Sequence, residues 1–161
     1  MYLPTSYFYQ IRFFKPYMVP FSTAVWDPKW YHDFKGQNYN FVDKNGVLNG
    51  LRISTFRPNS QCDGLCRGPE TCKFKDPNTC LFLQVYQGQI SGYSKESIEE
   101  YFTSVGETIK TAMKLDRDIL PVLIVHEPPQ RKCSERTVIH KVLNSIGIDS
   151  SELRYPIEDN Y

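Results

Sequence analysis

The stretch ILPVLIV, residues 119–125, constrains the fold more than any other part of the chain. Alternate side chains of a strand point to opposite faces, so a run without one polar side chain leaves no face for water. Such a strand is covered on both sides, as in a parallel sheet flanked by helices. The flanking segments carry helical spacing. Ser94 to Leu115 places Ile98, Tyr101, Phe102, Val105, Ile109, Ala112 and Met113 on one stripe, with Ser94 as cap and Glu96 in the first turn. A last helix starts at about Ser134, carries Val138, Ile139, Val142, Leu143 and Ile146 on its inner face, and stops at Gly147. Upstream, β-type runs cover Tyr7 to Phe14, Val19 to Val25 and Leu51 to Phe56. Asp27 and Pro28 suit the cap and first turn of a short helix that follows the second run, and residues 36–50 read as a loop. Strands alternating with helices predict one layered α/β domain over residues 1–161, with a mostly parallel sheet, and a loosely held polar tail from Asp149.

In such sheets ligands collect beyond the carboxyl ends of the strands, where loops enter helix N-termini. Here that loop is HEPPQRKCSER, residues 126–136. Unbonded N–H groups at the helix start, together with Arg131, Lys132 and Arg136, suit a phosphate or carboxylate. Cys133 in the same field is a candidate nucleophile, and Glu127 a candidate base or orienting group. The catalytic candidates are therefore Glu127, Cys133 and Arg136, with His126, Arg131, Lys132 and Ser134 binding the ligand. Tyr7, Trp26 and Trp30 would supply stacking faces if their segments flank this strand. The structural alternatives are Cys133 as a small packing residue, Ser134 as a cap alone and Arg136 as the partner of Glu127. Only two residues, Ser134 and Glu135, lie between Cys133 and Arg136, where a phosphatase loop has five, so that class is set aside. His32 and His140 read as surface positions on helices.

Residues 62–80, CDGLCRGPETCKFKDPNTC, hold Cys62, Cys66, Cys72 and Cys80 among turn-forming Gly and Pro. Four thiolates in one short segment can surround a tetrahedral Zn²⁺ in a closed structural site. An iron–sulfur cluster uses the same ligands and is the competing cofactor, ahead of disulfides or thiols. Arg67, Lys73 and Lys75 within the segment read first as solvated charges, with nucleic-acid contact as the other reading.

Nineteen basic and eighteen acidic residues exclude a global field for bulk nucleic-acid binding. The N-terminal residues lack a secretory leader's basic and apolar regions, and no run reaches the roughly 18 apolar residues of a membrane span. A soluble, cytoplasmic protein without a membrane partner is expected.

Three pieces of the chain, TSYF at 5–8, VPFSTAVWDPKWY at 19–31 and VLIVHEPPQRKCSERTVIHKVL at 122–143, resemble domain-of-unknown-function family 488. The resemblance spans both ends of the chain. It implies an α/β fold with a site at Glu127, Cys133 and Arg136, and makes residues 62–80 an insertion found in part of the family. Many members carry Cys-His-Arg where this chain has Cys133-Ser-Glu-Arg136, so a proton-transfer role for that histidine is not transferred. The leading expectation is a small enzyme acting on a nucleotide, nucleoside or nucleic-acid base through an anion-binding loop. The alternative is a non-catalytic, zinc-stapled module of phage or defence origin that binds nucleic acid or protein.

Overall fold

The computed structural model describes residues 1–32, 42–65, 76–131 and 133–155. Its centre is a three-stranded parallel sheet of β1 (Thr5–Tyr7), β2 (Met18–Ser22) and β3 (Leu120–Val125), with β3 in the middle. Thr5 pairs with Leu123, and Ser22 with Ile124. Single parallel bridges extend the sheet at both edges. Tyr2 and Thr5 meet Asp149 and Glu152 on one side, and Ser22 meets Arg52 on the other.

All six residues of β3 are buried, and their period of two assigns them to two cores. Leu123 and Val125 face a layer built by α2 (Leu81–Ile90), α3 (Lys95–Met113) and α4 (Glu135–Ser145). Leu120, Val122 and Ile124 face Phe8, Ile11, Phe14, Tyr17 and Tyr31. Helices therefore cover one face of the sheet, while the N-terminal aromatic segment covers the other. Phe21 of β2 meets Phe102 of α3 edge to face at 5.3 Å. Such a ring pair contributes about 1 kcal/mol beyond the burial of its area. Among the described residues no helix is long and apolar enough to cross a membrane.

Several expectations are corrected. The first β run ends at Tyr7, and Phe8–Phe13 forms a 3-10 helix. Phe8, Ile11 and Phe14, three residues apart, turn inward, while Tyr9 and Phe13 face solvent. The second strand stops at Ser22. Thr23 still bonds the Ile124 carbonyl, but Val25 and Trp26 leave the sheet. The run at 51–56 reduces to one bridge at Arg52 followed by a 3-10 turn, Ser54–Phe56. Asp27, ahead of the four-residue α1 (Lys29–His32), accepts a hydrogen bond from Ser22 Oγ and pairs with Arg52 at 2.5 Å.

The tail is not loose up to Leu153. Leu3 N–H donates to Asp149 O at 2.8 Å, and Leu153 N–H to Thr5 O at 2.8 Å. Helix α2 was not anticipated at all. It buries Leu83, Tyr86 and Ile90, and Tyr86 Oη donates to Phe56 O at 2.5 Å. The helices α3 and α4 have the expected caps, with Ser94 Oγ accepting from Ser97 N–H and Ser134 Oγ from Arg136 N–H.

Candidate functional site

A cavity of about 330 Å³ opens beyond the carboxyl ends of β2 and β3. Ligand sites of small molecules begin at about this size. Three segments build its wall: Ala24–Trp26 after β2, His126 and Glu127 after β3, and Cys133–Glu135 at the start of α4. Cys62 and Cys80 close it from the side of α2. A somewhat larger hollow of about 400 Å³ lies at the amino end of β3, beside Met1, Gly106 and Ile119. The carboxyl-end cavity is the chemically equipped one, because it gathers the carboxyls of Asp63, Glu127 and Glu135, three cysteines, a histidine and an exposed indole.

The polar geometry starts at Ser134. Its hydroxyl caps α4 and donates to Glu127 Oε2 at 3.0 Å. The Glu127 carboxylate thus occupies the helix start that sequence reasoning reserved for an external anion. Glu127 and Glu135 line the same cavity, close enough for each carboxylate to oppose the other's charge. That repulsion favours the protonated form of the more enclosed carboxyl, Glu135. Glu135 is half-buried as a residue, but its carboxyl is enclosed; that desolvation, and then repulsion from Glu127, push its pKa well above the usual carboxylate range. Burial also pushes the Cys62 thiol up, with Glu135 adding to the effect.

Of the residues singled out by sequence, Trp26, His126, Glu127, Cys133 and Ser134 are brought together at this cavity. Trp26 is 79% exposed at the rim, and His126 Nε2 is bonded to its carbonyl oxygen. Arg131 is exposed on the loop. Arg136 and Tyr7 are not part of the cavity wall. The Arg136 guanidinium is buried on the other side of α4, where Nε and Nη2 bond Glu152 at 2.7 and 3.2 Å. It stands 5.9 Å from the Tyr7 ring, and its Nη1 is buried without a hydrogen-bond partner among the described residues. The partner of Arg136 is thus Glu152 and not Glu127. Trp30 lies against Phe8 on a separate groove. Lys132 falls outside the described residues, as do Cys66 and Cys72 of the proposed metal set and Arg67, Lys73 and Lys75. Cys62 and Cys80, the two ends of that segment, are both buried and line the one cavity. Among the described residues no group of three His, Cys, Asp or Glu is arranged to hold a metal.

Sequence reasoning missed Glu135, Glu152 and Thr5. Glu135 follows the cap directly, where an acidic residue reads as helix-dipole compensation, and that ordinary meaning hid its proximity to Glu127. Thr5 Oγ1 donates to Glu152 Oε2 at 2.7 Å and lies 2.7 Å from His140 Nε2. With the hydroxyl proton committed to Glu152, His140 Nε2–H is the donor to Thr5. His140 is thus half-buried within the fold and not a surface residue; the His32 side chain lies outside the described residues. Comparison with protein-family models, curated proteins and solved structures returns no match.

Proposed function

We propose that the chain is a small enzyme acting on a nucleobase, free or within a nucleoside or nucleotide, and that the cavity beyond β2 and β3 holds the base. The observation that carries this reading is the Glu127–Glu135 carboxyl pair opening onto a cavity whose rim bears the exposed Trp26. A pair sharing one proton presents a donor beside an acceptor. That is the complement of a ring nitrogen next to an exocyclic amino group, the edge of adenine or cytosine. The indole supplies a stacking face. The same pair can give a proton to one atom of the base and take one from another, which is general acid–base work. Cys133 borders the cavity as the candidate nucleophile, while Arg136, the cation that would favour its thiolate, is engaged by Glu152. The exposed Arg131 is placed on the loop to meet a phosphate if the ligand is a nucleotide. The likeness to domain-of-unknown-function family 488 at Glu127 and Cys133 supports the location and says nothing of the reaction.

Titration of Trp fluorescence with adenosine, cytidine, uridine and their monophosphates tests this reading. Quenching is expected for adenosine or cytidine ahead of uridine, lost in Trp26→Phe and weakened about tenfold or more in Glu127→Gln, with a nearly unchanged Tm. No quenching by any nucleoside, or equal quenching in Glu127→Gln, sinks it.

A second reading concerns residues 62–80 and is favoured by Cys62 and Cys80 reaching one cavity from a segment with two more cysteines. It makes the four a Zn²⁺ staple, or an iron–sulfur site, that anchors the segment to the cavity wall. Elemental analysis with an absorption spectrum of anaerobically purified protein separates the two metals. Protein free of both, and unaffected in Tm by chelator, removes the staple.

A further inference from the structure

We infer that the aromatic groove formed by the 3-10 helix Phe8–Phe13, Trp30 and the turn at residues 43–45 binds single-stranded nucleic acid and leads it to the base cavity. This rests on the base-binding reading of that cavity and adds the polymer from which the base comes.

The first observation is the exposure of large rings on one side of the N-terminal segment. Tyr9 is 56% exposed, Phe13 54% and Trp30 47%, with Trp26 beyond them at the cavity rim. Water is a poor environment for such rings, and a base offers each a stacking face regardless of sequence. Tyr9 and Trp30 line one groove of about 370 Å³, with Phe8 at its floor.

The second observation is charge. Arg12 lies over the Tyr9 ring at 3.8 Å, and the exposed Lys44 lines the same groove. Lys29, beside Trp30, is exposed as well. Among the described residues the one carboxylate lining the groove, Asp43, is turned to the turn's own N–H groups. It accepts from Asn45 N and Val47 N at 2.8 and 3.1 Å and from Asn49 Nδ2 at 3.4 Å. Among the described residues the groove lining thus carries two cations, Arg12 and Lys44, against one carboxylate, Asp43, whose oxygens are taken up by the turn. Rings interleaved with cations match a polyanion that carries bases, and a neutral peptide would use only the rings.

The third observation is continuity. Phe8 meets Trp30 at 6.2 Å and the His126 ring at 5.1 Å, and His126 in turn holds the Trp26 carbonyl at the cavity wall. The groove and the cavity are thus neighbours, linked through the buried Phe8 ring and the exposed His126 ring to the backbone of Trp26. A strand lying across both puts successive bases on the groove rings and delivers one to Glu127 and Glu135.

The test is fluorescence anisotropy of labelled oligothymidylate and oligoadenylate of roughly 15 nucleotides, with a duplex of equal length as control. The Trp26 titration with mononucleosides is run on the same protein. Tight binding of single strand over duplex is expected, weakening with salt. Tyr9→Ala should reduce affinity about tenfold, and Lys44→Glu should lower the salt slope by about one. Both side chains are exposed, so neither change threatens the fold. If nucleosides quench Trp26 but oligonucleotides bind no tighter than they do, the groove proposal falls and the cavity reading stands. If oligonucleotides need Tyr9 and Lys44 while nucleosides leave Trp26 untouched, the groove stands and the cavity reading falls. Equal binding of duplex, or indifference to both substitutions, overturns the groove proposal.

Discussion

Glu135 and Arg136 are neighbours in the chain and open the same helix, yet their charges meet opposite fates. Arg136 turns toward β1 and is answered by Glu152, which Thr5 also supports. Glu135 turns toward the cavity and meets another carboxyl. The first arrangement is a closed circuit that ties α4 and the C-terminal segment to the sheet. The second costs stability, and chains retain such costs mainly where chemistry is done. The roughly 100° between successive helical residues is enough to separate a structural face from a functional one.

Removing the counter-charge should give the largest effect. In Arg136→Met the Glu152 carboxylate keeps its half-buried place without a cation, an expected loss of about 3–5 kcal/mol. For a chain of this size Tm should fall by on the order of 10 °C, while nucleosides still quench Trp26 in the folded fraction. Thermal unfolding and the fluorescence titration together decide it. A normal Tm with lost quenching would transfer Arg136 to the ligand site and erase the contrast between the two faces. Ser134 serves both faces, capping Arg136 N–H and holding Glu127. Ser134→Ala should therefore cost about 1–2 kcal/mol and also weaken nucleoside binding, unlike a change confined to either side. A loss of stability with unaltered affinity would show that Glu127 does not depend on its serine.

The same contrast explains what the sequence disclosed. β3, α3 and α4 were legible because their apolar patterns admit one period each, and the cavity's position follows from where β3 ends. Glu127, Cys133 and Trp26 were found on that basis. Arg136 was placed wrongly relative to the cavity because a helix start fixes which residues are near it, and not which of them faces the sheet. Its partner Glu152 comes from a polar segment with no period to read, held by backbone bonds to β1. Helix α2 was hidden differently. Leu83, Tyr86 and Ile90 have helical spacing, but Gly88 and the glutamines between them dilute it, and the segment received no assignment from its sequence. The 3-10 helix at Phe8 is a case of aromatics with high strand propensity bent by tertiary packing, since the groove face and the core face alternate every three residues.

The smallest effects carry the sharpest signs. Burial, and then the Arg136 guanidinium, pull the His140 pKa down to about 4 from 6.5. The unfolded chain takes up this proton first, so the contribution is complete above about pH 6.5 and lost as pH falls through about 4. Because the ring is only partly screened from water, about 1 kcal/mol is expected, and His140→Gln should flatten that acid limb. Glu135 has the opposite sign. Its raised value means that the folded state holds the proton longer, so its contribution is complete below the ordinary carboxylate range and lost as pH rises through the raised one. Glu135→Gln, which keeps a donor facing Glu127, should match the wild type in acid and exceed its Tm above neutrality by about 1–2 °C. Melting curves of the three proteins across pH read both limbs. A gap between Glu135→Gln and wild type that stays constant with pH would mean that no proton is shared with Glu127, and acid–base chemistry at the cavity would lose its basis while the Arg136 face stood unchanged.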